Sequence, residues 1–180
     1  MRTVVIYKSK TGFTKKYAQW IAEELSADIF DISKVTINMV TAYDIIIYGG
    51  SLYAVGINGV GLITKNIDKL KDKKIVVFAT GASPPRDSVI SEVKGKNFTL
   101  DQQKYIKFFY LRGGFNYSKL NTFDKFLMTL LKWKIKNKKK EELTTDEIGM
   151  LAVYDKPVDF TRKKNIDEII TYVNSIMEKS

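Results

Sequence analysis

Short apolar runs alternate along the chain with segments whose apolar residues recur every three or four positions. The runs at residues 2–7, 44–50 and 74–80 are rich in β-branched residues and are typical of buried strands. Residues 28–32 and 105–111 are two further strand candidates. Because helical segments separate these runs, the order predicts an α/β fold, with a parallel sheet and helices on both of its faces.

Helical spacing fills the gaps between the strands. Behind the first strand, apolar residues recur every fourth position, which is typical of a helix that packs one face on a sheet. Residues 60–70 carry a second stripe, and the mostly basic residues 71–74 favour a helix C-terminus there. The two stripes consist of Tyr17, Ile21 and Leu25, and of Val60, Ile63, Ile67 and Leu70.

Weaker patterns mark the remaining segments. Residues 33–41 are predicted to be a connection with little regular structure. A short helix is expected within residues 86–100, followed by an irregular turn at Gly95, and residues 112–117 are predicted to form a glycine-broken loop. The final helix is expected to begin near Thr161.

Composition narrows the chemistry. The 180 residues suit a single domain, 1–180, with one sizeable core. The sequence contains no cysteine and no histidine, which excludes disulfides, thiolate chemistry, a histidine base and most transition-metal sites. No metal site is predicted. The apolar run at the N-terminus is too short for a signal peptide, so we expect a cytoplasmic protein.

The loop at residues 9–14 joins the first strand to the first helix and is rich in hydroxyl groups. Ser9, Thr11 and Thr14 can each donate an O–H to a phosphate oxygen, and Gly12 permits a tight turn close to a ligand. Backbone N–H groups at a helix N-terminus also attract anions. The same hydroxyls are equally suited to capping the helix, so the loop by itself leaves both interpretations open.

Two more loops, at residues 51–56 and 80–85, also follow strands. In parallel sheets, ligands bind beyond the carboxyl ends of the strands, where the strand order reverses. The convergence of three loops at one edge therefore favours a phosphate-bearing ligand over simple capping. The chain lacks a Walker loop, and the glycines at residues 56–61 are wrongly spaced for the dinucleotide fingerprint.

The block at residues 112–140 combines a predicted amphipathic helix, 123–135, with many lysines. The chain's formal net charge of +10 suits an anionic partner such as a membrane surface, an acidic protein or a nucleic acid. Nucleic acid is disfavoured because stacking aromatics are not interleaved with the basic residues. Two interpretations stay open: peripheral docking at the inner face of the cell membrane, or a core-packed helix with a solvated lysine face.

The stretch Val5-Ile-Tyr7-x-Ser9-x-Thr11-Gly12-x-Thr14 is similar to the FMN-phosphate signature of the flavodoxins. This resemblance implies a flavodoxin-like three-layer sandwich, with a five-stranded parallel sheet in the order 2-1-3-4-5. It also implies FMN as the cofactor. By the same resemblance, the FMN phosphate would be wrapped by Ser9, Lys10, Thr11, Gly12, Phe13 and Thr14.

The loop that follows the strand at residues 44–50 resembles the second FMN loop of the flavodoxins, where an aromatic ring commonly stacks on the flavin. Tyr53 is the stacking candidate, and its alternative role is a loop aromatic packed on the core. The loop after residue 80 takes the place of the third FMN loop. The residues assigned in these two loops are Ser51, Leu52, Tyr53, Ala54, Thr80, Gly81, Ala82 and Ser83.

Within this superfamily, Leu111-Arg-Gly-Gly-Phe115 and Asp124-Lys-Phe-Leu-Met128-x-Leu130 resemble the flavodoxin-type menaquinone-dependent protoporphyrinogen oxidases of haem biosynthesis. This likeness implies an FMN-dependent oxidoreductase that acts on a porphyrinogen, with a quinone as partner. The block at residues 112–140 is not rich in arginine and contains only Arg112. Substrate contacts and catalytic residues are therefore not assigned.

Two alternatives to an FMN-dependent oxidoreductase remain open. The first is a non-enzymatic flavodoxin electron carrier with a redox protein partner. The strongly basic charge argues against it, because ordinary flavodoxins tend to be acidic. The second is a flavin-free module that binds a membrane or a nucleic acid through the basic helix.

Overall fold

The computed structural model describes residues 1–53, 55–120, 122–144, 147–149, 151 and 157–179. Its centre is a six-stranded sheet in which hydrogen-bonded neighbours follow the order β2-β1-β3-β5-β6, while the short β4 pairs antiparallel with the end of β3. The strands are β1 (Thr3–Lys8), β2 (Asp28–Asp31), β3 (Ile45–Tyr53), β4 (Gly56–Ile57), β5 (Lys74–Gly81) and β6 (Ile106–Arg112).

Helices cover both faces of this sheet. In chain order these are α1 (Phe13–Leu25), α2 (Ile37–Val40), α3 (Gly61–Thr64), α4 (Ile67–Leu70), α5 (Asp87–Asn97) and, after a helix beyond the carboxyl edge of the sheet, α6 (Thr122–Lys136), the final helix α7 (Asp167–Met177). Within the part of the chain that the structure describes, none of them is both long enough and apolar enough to cross a membrane.

The prediction of an α/β sandwich is confirmed. Counted along the chain, the five parallel strands stand in the predicted order 2-1-3-4-5. The numbering shifts only because β4 is an additional strand that the sequence did not reveal. Residues 51–56 were predicted to be a loop, but Leu52 and Tyr53 continue β3 and pair with Ile57 and Gly56 in a tight hairpin.

A second, two-stranded sheet corrects the prediction for residues 112–117. Instead of a plain loop, this segment contains β7 (Gly114–Phe115), which pairs antiparallel with β8 (Val158–Asp159). The Gly113 N–H donates to the Gly81 carbonyl (2.7 Å), and the Gly113 carbonyl accepts from the Phe160 N–H (2.8 Å). These long-range hydrogen bonds hold the glycine segment extended.

The predictions for three further segments also need correction. The connection at residues 33–41 contains α2, whose N-terminus is capped when Thr36 accepts a hydrogen bond from the Met39 N–H. The stripe at 60–70 is divided into two short helices, α3 and α4. The final helix begins at Asp167, after a 3₁₀ turn, and not near Thr161.

Gly95 was predicted to form a turn but lies inside α5. A glycine within a helix costs only about 0.5–1 kcal/mol relative to alanine. Burial of Val93 and Phe98 beside it packs α5 onto the sheet and outweighs that preference.

The core consists of two apolar layers, one on each face of the sheet. Because side chains alternate along a strand, successive residues of β1, β3 and β5 enter opposite layers. One layer includes Val4, Ile6, Ile46, Tyr48 and Val77, together with Ile63, Leu70 and Val93 from the helices. The other includes Val5, Ile45, Ile47, Val76 and Phe78, together with Tyr17, Ile21, Ile169 and Val173.

Gly49 in β3 supplies the first test of this packing, because a Cβ added there would overlap the fully buried Phe78 ring. We expect Gly49→Ala to lower the free energy of unfolding by about 1–3 kcal/mol, since an overfilled core strains its neighbours. Gly95→Ala is the matched control. Apart from the backbone of α5 itself, no atom of the described residues lies within 4 Å of its added Cβ. The free energy of unfolding of this variant, measured in urea, should therefore rise by about 0.5–1 kcal/mol. A neutral Gly49→Ala would contradict this packing.

Candidate functional site

The loop between β1 and α1 turns at Gly12, which adopts a left-handed conformation (φ 98°). The Gly12 N–H donates to Ser9 Oγ (3.1 Å), and Gly12 itself occupies the N-cap position of α1. A glycine has no side chain with which to cap a helix. Capping by the loop hydroxyls therefore does not explain this sequence, and the N–H groups of the first helical turn point toward the loop, as an anion requires.

Two of the predicted hydroxyl groups bond to each other. Thr14 Oγ1 and Thr80 Oγ1 lie 2.6 Å apart, and both side chains are buried. This hydrogen bond joins the first loop to the third. Whichever hydroxyl accepts in this pair retains its own proton for donation to a ligand.

The second loop presents Tyr53 on the surface. Its side chain is 45% exposed, so it is not packed on the core. Lys10 Nζ lies 4.6 Å from the centre of the ring, in cation–π contact. Beside it, Ser51 Oγ accepts a hydrogen bond from the Asn58 side-chain amide (3.0 Å). Ala54, the remaining predicted residue of this loop, lies outside the described residues.

Lys10 also reaches across to α6. Its Nζ donates to Asp124 Oδ2 at 2.7 Å, and Asp124 is only 5% exposed. The pair ties the first loop to a helix more than a hundred residues later in the chain. A buried carboxylate needs such a partner, because desolvation of an unpaired charge is costly.

A cavity of about 590 Å³ lies between these elements. Among the predicted site residues that the structure describes, all except Ser9, Gly12 and Thr14 line it. The structure therefore brings the three predicted loops together around one space. Its volume falls within the range of about 300–1,000 Å³ that is common for ligand pockets.

α6 supplies a fourth wall of the cavity, which the sequence pattern did not reveal. Asp124, Leu127, Met128 and Leu131 line it at helical spacing, one side chain above the next. A lone acidic residue within an apolar stripe was the available signal, since a carboxylate on such a face requires a buried partner. Further lining residues come from α5 and from residues 113–120.

Tyr17 fixes α1 beneath this site. Its hydroxyl donates to the Arg112 carbonyl (2.7 Å) and accepts from the Asn165 side-chain amide (2.6 Å). Burial raises the pKa of Tyr17, so the hydroxyl stays neutral and able to donate. These bonds hold the end of β6 and the segment before α7 against the first helix.

A parallel α/β sheet in this strand order, with three loops around a cavity at its carboxyl edge, defines the flavodoxin-like class of proteins. The flavodoxin domain family matches residues 4–143. The chain therefore belongs to that family.

Several known proteins are similar to this chain. An uncharacterized protein of Methanocaldococcus jannaschii is 32% identical over 112 residues, which cover 56% of this chain and 71% of that protein. The Trp repressor binding protein from Bacillus subtilis is 18% identical, with a TM-score of 0.46, and covers 64% of this chain and 85% of its own. A flavodoxin from the domain Archaea is 16% identical, with a TM-score of 0.39, and the match covers 63% of this chain and 85% of that flavodoxin.

The pair formed by Lys10 and Asp124 yields a second prediction. Lys10→Met removes the ammonium group from a buried carboxylate, so we expect it to lower the free energy of unfolding by about 1–3 kcal/mol. Lys15→Met, at an exposed position in the first turn of α1, should change it by no more than about 0.5 kcal/mol. Urea unfolding compares the two variants.

A double-mutant cycle with Asp124→Asn isolates the coupling between the two side chains. Since the residues are in contact, their effects should not be additive, and the interaction energy should be at least about 0.5 kcal/mol. Additive effects would mean that α6 is held to the first loop by other contacts.

Proposed function

We propose that this protein binds FMN in the cavity at the carboxyl edge of its sheet. The observation that carries the proposal is the start of α1: Gly12 leaves the helix without a side-chain cap, at the mouth of a loop that bears Ser9 and Thr11. This arrangement fits a phosphate, because the N–H groups and hydroxyls donate while the helix dipole favours negative charge. Family membership supports the same cofactor.

The residues present suit the other parts of FMN as well. The exposed ring of Tyr53 offers an aromatic face for the flavin, and Thr80 and Gly81, whose backbone groups could hydrogen-bond to the flavin ring, also line the cavity. Bound FMN would supply two-electron redox chemistry and accept a hydride from a substrate. The protein contributes binding, orientation and exclusion of water.

We propose further that the reaction is the oxidation of a porphyrinogen in two-electron steps, each of which removes two electrons and two protons from the substrate and reduces one menaquinone to menaquinol. The support is the position of α6, whose residues Leu127, Met128 and Leu131 form an apolar wall over the cavity. A pocket with apolar walls and a few polar groups suits a largely apolar small-molecule substrate. An electron carrier needs the FMN site but no apolar wall over it, which makes the carrier the second candidate.

In this proposal, the residues of the chain exclude water and hold the wall of the cavity in position. The wall from α6 excludes water from the reacting centre, and the pair formed by Lys10 and Asp124 keeps that wall in place. No side chain is assigned as a proton acceptor. Two-electron oxidation does not require a histidine base, which agrees with the absence of histidine.

Visible absorption of the purified protein with added FMN tests the cofactor. We expect flavin bands that stay with the protein through desalting, and a dissociation constant that rises roughly tenfold to a hundredfold in Thr11→Ala, since a hydrogen bond to a charged group is lost. Thr41→Ala is the control, because Thr41 ends α2 just before β3 begins, at the opposite edge of the sheet. A protein that stays colourless with excess FMN would refute the proposal.

Anaerobic turnover of protoporphyrinogen with a water-soluble menaquinone analogue tests the reaction. We expect a rate above that of free FMN, and a roughly tenfold lower kcat/KM in Met128→Gln, because a polar group then enters the apolar wall. Leu100→Gln, at an 82% exposed position outside the cavity lining, should leave kcat/KM unchanged. A rate no higher than free FMN, combined with fast electron exchange with a flavodoxin reductase, would select the carrier.

A further inference from the structure

The side of α6 that faces away from the cavity carries large apolar side chains in contact with solvent. Phe126 is 59% exposed, Leu130 is 48% exposed and Trp133 is 68% exposed. Their spacing of four and three residues places them in one stripe along the helix. We propose that this outer stripe, together with the lysines beside it, docks the protein on the surface of an anionic lipid bilayer.

The charge around the stripe fits such a surface. α6 contains Lys125, Lys132, Lys134 and Lys136, and the 3.6-residue period places lysines on both sides of the outer stripe. Asp124 is the only acidic residue of α6, and it is turned inward to Lys10. The outward side of the helix therefore presents cations, apolar groups and the neutral hydroxyl of Thr129, and no carboxylate of α6.

The side-chain types also favour a bilayer interface. Tryptophan is enriched at the level of lipid headgroups, where its ring can lie in an apolar layer while its N–H stays near water. Lysine can lay its aliphatic stem on apolar surface and keep its ammonium group among the phosphates. A helix with this arrangement lies in the plane of the interface, with its apolar face buried.

A second copy of the chain fits this surface less well. A symmetric dimer brings the same patch of both subunits together. The lysines of two α6 helices would then lie close together, in a protein whose formal net charge is already +10. Repulsion between like charges disfavours that contact, whereas an anionic surface attracts the lysines on both sides of the outer stripe.

A Trp20→Phe background makes Trp133 the only tryptophan, because the chain contains two. The full-length protein, loaded with FMN or not, is mixed with vesicles containing about one third phosphatidylserine or with pure phosphatidylcholine vesicles. We expect blue-shifted Trp133 emission, and quenching by brominated lipid, with the anionic vesicles only. The result should not depend on FMN. A failure of the cofactor proposal can therefore be distinguished from a failure of the docking proposal.

Vesicle sedimentation measures how each part of the surface contributes. Lys134→Gln with Lys136→Gln should lower the partition coefficient about 25-fold, or about fivefold for each charge. Phe126→Ala should lower it roughly tenfold, because apolar area no longer enters the interface. The matched control is Lys69→Gln with Lys96→Gln, in the last turns of α4 and α5 at the other end of the sheet, which should bind as the parent does.

Two results would overturn the proposal. One is binding to anionic vesicles with no change in Trp133 emission, since another surface would then carry the contact. The other is a blue shift without lipid that grows with protein concentration, together with a dimer in analytical ultracentrifugation. That result would assign the stripe to a second copy of the chain.

Discussion

The exclusion of water from the central sheet is the constraint on which the rest of this structure depends. β3 lies between β1 and β5, and its residues from Ile45 to Gly50 are buried, with neighbouring strands at both edges and helices on both faces. Such a strand cannot carry polar side chains along its length. Ser51 is the first polar residue after that run. Ligand-binding groups are therefore confined to the carboxyl ends of the strands, where all three predicted loops meet.

The edge where the loops meet is completed by contacts between distant parts of the chain. Thr14 and Thr80 join the first loop to the third, and Lys10 joins the first loop to Asp124, at a sequence separation of 114 residues. Each of these contacts requires two side chains that come together only when the chain has folded. The cavity is consequently a property of the assembled fold, and the ion pair between Lys10 and the buried Asp124 carboxylate is one of the contacts that hold its α6 wall.

Local patterns account for what the sequence predicted well. Apolar runs of five or six residues and helical stripes identified the five parallel strands, α1 and α6, because burial repeats with the period of each element. The three loops could be identified because each comes directly after a predicted strand. The pairing of Gly114 with Asp159, the hydrogen bond between Thr14 and Thr80, and the helical state of Gly95 depend on partners far away in the chain, which no local pattern specifies.

The orientation of α6 is fixed by a contact with a distant part of the chain and not by its own apolar pattern. Its apolar residues occupy two opposite sides of the helix, so a single stripe could not reveal which side faces the protein. The decisive residue is Asp124: a carboxylate can be buried only beside a cation, and Lys10 is the cation that the first loop provides. Once Asp124 is directed inward, Leu127 and Met128 must line the cavity. Phe126 and Trp133 must then face outward, and the lysines beside them set the charge of whatever surface they meet.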